Sequence, residues 1–168
     1  MAAMSTQHGF SHLDERGDAR MVDVVDREVT VRTATATGRV RTSAEVVARL
    51  RDGTVPKGDV LSTARIAGIM GAKRTSDLIP MCHPLALHGV TLTVEIVEDG
   101  VDLVATVRTA DRTGVEMEAL TAIAIAGLTV IDMVKALDPA CVITDVCLQA
   151  KDGGRNGSWR RPSATDLT

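Results

Sequence analysis

VTLTVEIVEDGVDLVATVRTADRTGVEMEALTAIAIAGLTVIDMVKAL, residues 90–137, decides the fold. Val90, Leu92, Val94 and Ile96 alternate with polar residues, and Val101, Leu103, Ala105 and Val107 repeat that period. Two runs of period two, joined by Glu98-Asp99-Gly100, predict a β-hairpin. The period then lengthens. From about Val115 to Leu137 the apolar residues fit a long helix, which Pro139 stops.

Upstream, Val29 and Val31, then Thr33, Thr35 and Thr37 between Ala34, Ala36 and Gly38, predict a strand from Glu28 to about Arg41. Thr42-Ser43-Ala44-Glu45 has a capping-box pattern and opens a short helix carrying Val46, Val47 and Leu50, which Gly53 ends. Asp59 is placed to N-cap a second helix, on which Val60, Ala64, Ala67 and Gly71 form one small-residue face. Pro80 and Pro84 constrain the loop Met81-Cys82-His83. A last strand is expected over Cys141–Ala150. Residues 1–20 are polar and 152–168 are rich in Gly, Ser and Arg, so both ends are expected to be mobile around a single domain, 1–168. The order strand, helix, helix, hairpin, helix, strand predicts an α+β fold, an antiparallel sheet of about four strands with helices on one face.

Composition excludes several classes. The chain of 168 residues is 45% hydrophobic but holds one Phe, one Trp and no Tyr, so Val, Ile, Leu, Met and Ala must build the core. A net charge of −3 gives no global basic field, and the missing aromatics remove stacking platforms, so nucleic acid is not an expected partner. The apolar run Ala119–Val130 is short for a bilayer and interrupted by Thr and Gly, so no membrane partner is expected either. The N-terminus lacks an apolar signal core, and Cys82, Cys141 and Cys147 form no CxxC pair; a cytoplasmic protein with free thiols is expected.

Charges set among apolar residues must be paired or meet a charged ligand. Asp132 and Lys135, three apart, share a helix face; a plain surface ion pair is the alternative. Glu116 and Glu118 open the same helix, where its dipole favours carboxylates. Fourteen residues separate Glu118 from Asp132, about 21 Å of helix, so one compact reacting centre cannot touch both. An extended substrate or a site completed by a second subunit resolves this. The second is favoured, because the face Ala119, Ala122, Ala126 suits tight packing against another helix. Lys57, beside Gly58 at a helix entrance, is suited to an anion or a proton transfer, or is simply solvated. His83 next to Cys82 does not match metal-ligand spacing, and no metal site is expected. Gly68–Thr75 fails the GxxxxGK[ST] template, and its glycines fall inside a helical pattern rather than after a strand.

Five blocks carry a resemblance: MVDV at 21–24, KGDVLSTARIAGIMGAKRTSDLIPMCHP at 57–84, TGVEMEALTA at 113–122, IDMVKA at 131–136 and KDGG at 151–154. In this order and spacing they resemble the cyclic pyranopterin monophosphate synthase family, the second-step enzyme of molybdenum cofactor biosynthesis (its protein C). The resemblance implies a ferredoxin-like subunit in a homohexamer, a trimer of dimers with sites at dimer interfaces. It implies conversion of (8S)-3′,8-cyclo-7,8-dihydroguanosine 5′-triphosphate to cyclic pyranopterin monophosphate and diphosphate, a phosphorus–oxygen lyase reaction. The family's catalytic positions fall on Lys57, Asp132 and Lys135. Its substrate contacts match Met81, Cys82, His83, Met117 and Glu118, and further site positions match Arg32, Arg65, Lys73, Glu116 and Lys151. Met81 stands where Leu is usual, a change of similar volume. No cofactor is implied; a divalent ion would ride on the triphosphate. The competing class is a noncatalytic oligomeric module that binds a nucleotide or phosphate.

Overall fold

The computed structural model describes residues 16–163; the expectation of a loose start therefore lies, for 1–15, outside the described residues, as does 164–168 at the other end. The elements run β1 (Thr30–Arg41), α1 (Ala44–Asp52), α2 (Val60–Lys73), α3 (Thr75–Leu78), β2 (Gly89–Val97), β3 (Gly100–Asp111), α4 (Glu116–Val134), β4 (Val142–Asp152) and β5 (Trp159–Arg160). They form one sheet of order β2-β3-β1-β4-β5, and its paired strands are antiparallel. Taking β1–β4 alone, β1 reaches β2 across β3, and β3 reaches β4 across β1. These two split crossovers through helices make the sheet ferredoxin-like.

The local signals act as the sequence predicts. Val97 pairs with Gly100, so the hairpin turn is the two residues Glu98-Asp99. Asp59 caps α2 by accepting from the Ser62 N–H at 3.0 Å. The first helix differs by one position. Ser43 is its N-cap, with its side chain accepting from the Val46 N–H, while Thr42 Oγ1 donates to Asp138 Oδ2 at 2.9 Å. That distant carboxylate also accepts from the Ser43 N–H at 2.8 Å and so stitches the start of α1 to the chain beyond α4.

The core lies between the sheet and α2 with α4. Ala34, Ala36 and Val40 of β1 and Leu103, Ala105 and Val107 of β3 face Ala119, Ala122, Ile123, Ala126 and Val130 of α4. With so few large side chains, backbones must approach closely. A Cβ on Gly68 would lie 2.3 Å from Leu92 Cδ2 and 2.8 Å from the Ala122 carbonyl oxygen. The small face of α4 therefore packs against α2 of the same chain. This corrects the expectation that it waits for a helix of another subunit.

Two further expectations change. α4 has 19 residues at mean hydropathy 1.8, long and apolar enough to cross a bilayer by length and composition, yet just over half of it is buried in the fold. Its flanks beyond the run 119–130 are helical, as the helix expected over about 115–137 requires. The segment from 152, expected to be mobile, turns back: Ala150 pairs with Arg160 and Lys151 with Trp159, which adds a fifth strand to the predicted four.

The fit at Gly68 is testable. Alanine gains about 1 kcal/mol of helix propensity over glycine, but overpacking costs about 1–3 kcal/mol. Gly68→Ala should lower stability by about 1 kcal/mol and Gly68→Val by more, measured by urea unfolding. A stabilised Gly68→Ala would show that the two helices are not in contact there.

Candidate active site

Two clusters of functional side chains form at opposite ends of α4. At its C-terminal end, Val55–Gly58 makes a turn, with the Gly58 N–H donating to the Val55 carbonyl at 3.0 Å. The turn aims Lys57 at α4. Lys57 Nζ donates to the Asp132 backbone carbonyl at 2.8 Å and to Asp132 Oδ2 at 3.1 Å. Lys135 Nζ donates to Asp132 Oδ1 at 2.5 Å. One carboxylate thus holds two amines, one on each oxygen. The Lys135 bond, then the Lys57 bond, keep the Asp132 carboxyl below its ordinary range. All three side chains are about half exposed, so the group is an open cation–anion–cation patch and no buried core pair.

At the N-terminal end of α4 lies a cavity of about 500 Å³, walled by Met81, Cys82, His83, Glu116, Met117 and Glu118. Val22 and Val24 of the segment before β1 also line it. His83 Nε2 lies 2.7 Å from the Val22 carbonyl oxygen. A carbonyl only accepts, so Nε2 carries the proton and Nδ1 is left for other work. That bond ties the proline-bracketed loop to the MVDV block, which gives the two a shared structural reason.

Glu118 is 4% exposed. Burial pushes its carboxyl up to about 7, its own backbone N–H opposes this, and the Glu116 charge adds to it. Burial, and then the Glu118 charge, also push the Cys82 thiol above its ordinary value, so the thiol is no ready nucleophile here. Glu116 instead faces Lys151 Nζ at 3.5 Å. Gly114 makes room for it: a Cβ there would sit 1.9 Å from Glu116 Oε2.

Lys151 belongs to a second cavity, of about 590 Å³, that abuts the first. Its walls include Arg32, Lys151 and the glycines 153–154, with Asp26 and Glu28 as the acidic members. Arg32 Nε donates to the Asp111 carbonyl at 3.1 Å, which ties this β1 guanidinium to the end of β3. Arg27, Arg155 and Asn156 line both cavities. Sequence patterns did not single out Arg27 or Asn156, because no spacing relates positions 27 and 156.

Most of the residues proposed from sequence are therefore gathered into two places. Lys57, Asp132 and Lys135 form one; Met81, Cys82, His83, Met117, Glu118, Glu116, Arg32 and Lys151 form the other. Arg65 and Lys73 join neither. Both are exposed on α2, and Arg65 Nε donates to the Leu92 carbonyl at 3.2 Å. From Glu118 to Asp132 α4 is unbroken, so the two places stand about 21 Å apart along it.

A family profile described as the MoaC family matches residues 21–154. The chain is 61% identical over 158 residues to a cyclic pyranopterin monophosphate synthase of Streptomyces griseus subsp. griseus, covering 94% of this chain and 89% of that one. It is 57% identical to the enzyme of that name from Nocardioides sp., over 91% of this chain and 96% of the other. It is also 57% identical to cyclic pyranopterin monophosphate synthase 2 of Mycobacterium bovis, over 90% and 91% of the two chains.

Glu118 carries a pH prediction. Its folded value of about 7 exceeds the ordinary 4.5, so the folded protein binds the extra proton between those values. Stability from this group is complete below about pH 4.5 and lost as pH rises to 7. Glu118→Gln should flatten the pH dependence of unfolding free energy in that window, removing a fall on the order of 2–3 kcal/mol. Parallel profiles for variant and wild type would contradict the burial argument.

Proposed function

The chain belongs to the MoaC family, and from that membership and the two clusters we propose that it is a phosphorus–oxygen lyase of molybdenum cofactor biosynthesis. It converts (8S)-3′,8-cyclo-7,8-dihydroguanosine 5′-triphosphate to cyclic pyranopterin monophosphate and diphosphate. The separation of two half-sites on one rigid helix carries this reading. Each half-site lacks what the other has, and a second protomer supplies it.

The chemistry divides accordingly. The guanine-derived ring presents N–H donors, which suit the Glu118 carboxylate and His83 Nδ1 in the first cavity. The triphosphate suits Arg32 and Lys151 in the second. The Lys57–Asp132–Lys135 patch comes from the neighbouring protomer. Opening and rebuilding the purine-derived ring needs repeated proton transfers, and two amines on one carboxylate can take and return protons. A ribose-derived hydroxyl then attacks the α-phosphorus. The new O–P bond closes the cyclic monophosphate, the bond from the α-phosphorus to the bridging oxygen breaks, and diphosphate leaves with the electron pair. The hydroxyl proton passes to the amine–carboxylate group. The step is a rearrangement with elimination, so it calls for no resident redox cofactor; a divalent ion enters on the triphosphate as part of the substrate. Arg65 and Lys73, outside both clusters of one protomer, approach the substrate only if the assembly carries them there.

Assembly as a homohexamer, a trimer of dimers, is supported by apolar side chains left uncovered on the outer sides of both long helices: Ile66, Met70 and Leu128 are each more than half exposed. The three free cysteines suit the reducing cytoplasm.

Two inactive variants test the shared site. Lys135→Ala and His83→Ala should each abolish most diphosphate release from the cyclic triphosphate. Mixed and allowed to exchange subunits, they should recover up to about a quarter of wild-type activity, since half of random pairs are mixed and each has one intact site. No recovery, with exchange demonstrated, would place both half-reactions within one protomer. No diphosphate from folded wild type would favour the noncatalytic binding module.

A further inference from the structure

The wall between the two cavities belongs partly to a segment that the catalytic scheme leaves unused. Arg155 and Asn156 line both cavities from the turn between β4 and β5. This turn is held from several sides. Arg160 Nη2 donates to both Oδ atoms of Asp152 at 3.0 Å. The Arg161 N–H donates to the Gln149 carbonyl at 2.8 Å, Arg161 Nε donates to the Leu148 carbonyl at 2.7 Å, and the guanidinium stands 5.9 Å from the Trp159 ring centre.

Glycine is required where the turn meets the first strand. Gly154 has φ +77°, and a Cβ on it would fall 2.2 Å from Arg32 Nη1. The turn thus presses its bare backbone against Arg32, the arginine that the family resemblance implies for the site. Beyond that contact stand two guanidinium groups with no carboxylate. Among the described residues, neither Arg27 nor Arg155 makes a side-chain ion pair or hydrogen bond. Arg27 is only half-buried by its neighbours and its carbonyl accepts from Arg112 Nε at 2.9 Å, so its backbone is fixed while its charge is free. Four cations, Arg27, Arg32, Lys151 and Arg155, face two carboxylates, Asp26 and Glu28, in the second cavity. Lys151 is also paired with Glu116 of the first cavity at 3.5 Å, so the surplus is one positive charge, carried by the unpaired Arg27 and Arg155 that line both cavities.

We propose that the β4–β5 turn is a phosphate clamp, in which Arg155, with Asn156 beside it, binds the polyphosphate of the substrate across the wall between the cavities. The unpaired fork of Arg155 offers two parallel N–H donors to phosphate oxygens, and Arg27, which lines the same two cavities, offers a second fork. Arg160 and Asp152 do not touch the ligand; they set the position of the turn that carries Arg155. The identity of the anion as the substrate's triphosphate rests on the function proposed above, while the clamp itself is a property of the cavity and is measured without turnover.

The test titrates inorganic triphosphate into wild type, Arg155→Ala, Arg155→Lys and Arg49→Ala by calorimetry, with KM and kcat for diphosphate release measured on the same proteins. Arg49 is an exposed control paired with Glu45 on α1. Arg155→Ala should weaken triphosphate binding about tenfold and raise KM to match while kcat stays within about twofold. Arg155→Lys should recover part of the loss, since it restores charge without the fork, and Arg49→Ala should match wild type. Triphosphate binding that is absent in wild type, or unchanged in Arg155→Ala, overturns the clamp. Arg155-dependent binding without diphosphate release would keep the clamp and overturn the functional reading; normal release with an unchanged KM in Arg155→Ala would do the reverse.

Discussion

A single unbroken helix constrains everything else. α4 runs from Glu116 to Val134 without a kink-forming proline, and its two ends carry different chemistry. Its N-terminal turn holds Glu118 buried beside Cys82 and His83, and its C-terminal turn holds Asp132 between two lysine amines. A packed helix does not shorten, so these groups stay about 21 Å apart whatever the substrate does. On the proposed reading, the helix gives each protomer one half of two different sites.

That rigidity comes from an unusually thin core. With one Phe and one Trp in the chain, close approach replaces bulk. Gly68 and Gly71 let α2 lie against Ala122, Ile125 and Ala126, and Gly127 meets Ile143 of β4. The same tight layer sets both half-sites. The turn before α2 delivers Lys57 to the C-terminal end of α4, and the chain leaving α3 delivers Cys82 and His83 to its N-terminal end. The antiparallel run of the two helices follows from the split crossovers, so fold and site share one cause.

What the sequence revealed was what is local. Alternation marked the strands, Asp59 and Gly53 marked helix ends, and the three-residue spacing of Asp132 and Lys135 put them on one face. What it hid was the identity of distant partners. The small face of α4 was legible as a packing surface, yet periodicity does not say which helix covers it, and α2 does. Thr42 looked like part of a cap, but Asp138 claims its hydroxyl from beyond α4. The glycine-rich tail read as loose because composition records chain entropy and not the ladder that Ala150 and Lys151 offer it. Arg27 carries no local signal at all. It joins the site only because the chain before β1 returns to the loop that holds His83. The family resemblance implies roles for Lys57, Asp132 and Lys135; the fold gives the reason that Lys57, 75 residues from Asp132, can share its carboxylate.

The central claim is that two protomers complete one site. A crystal structure of the Lys57→Ala variant with the cyclic triphosphate bound tests it most directly. The account predicts one ligand enclosed by His83 and Glu118 of one protomer and by Asp132 and Lys135 of its neighbour. A ligand whose contacts all come from one chain, with every Lys135 remote from it, would contradict the account.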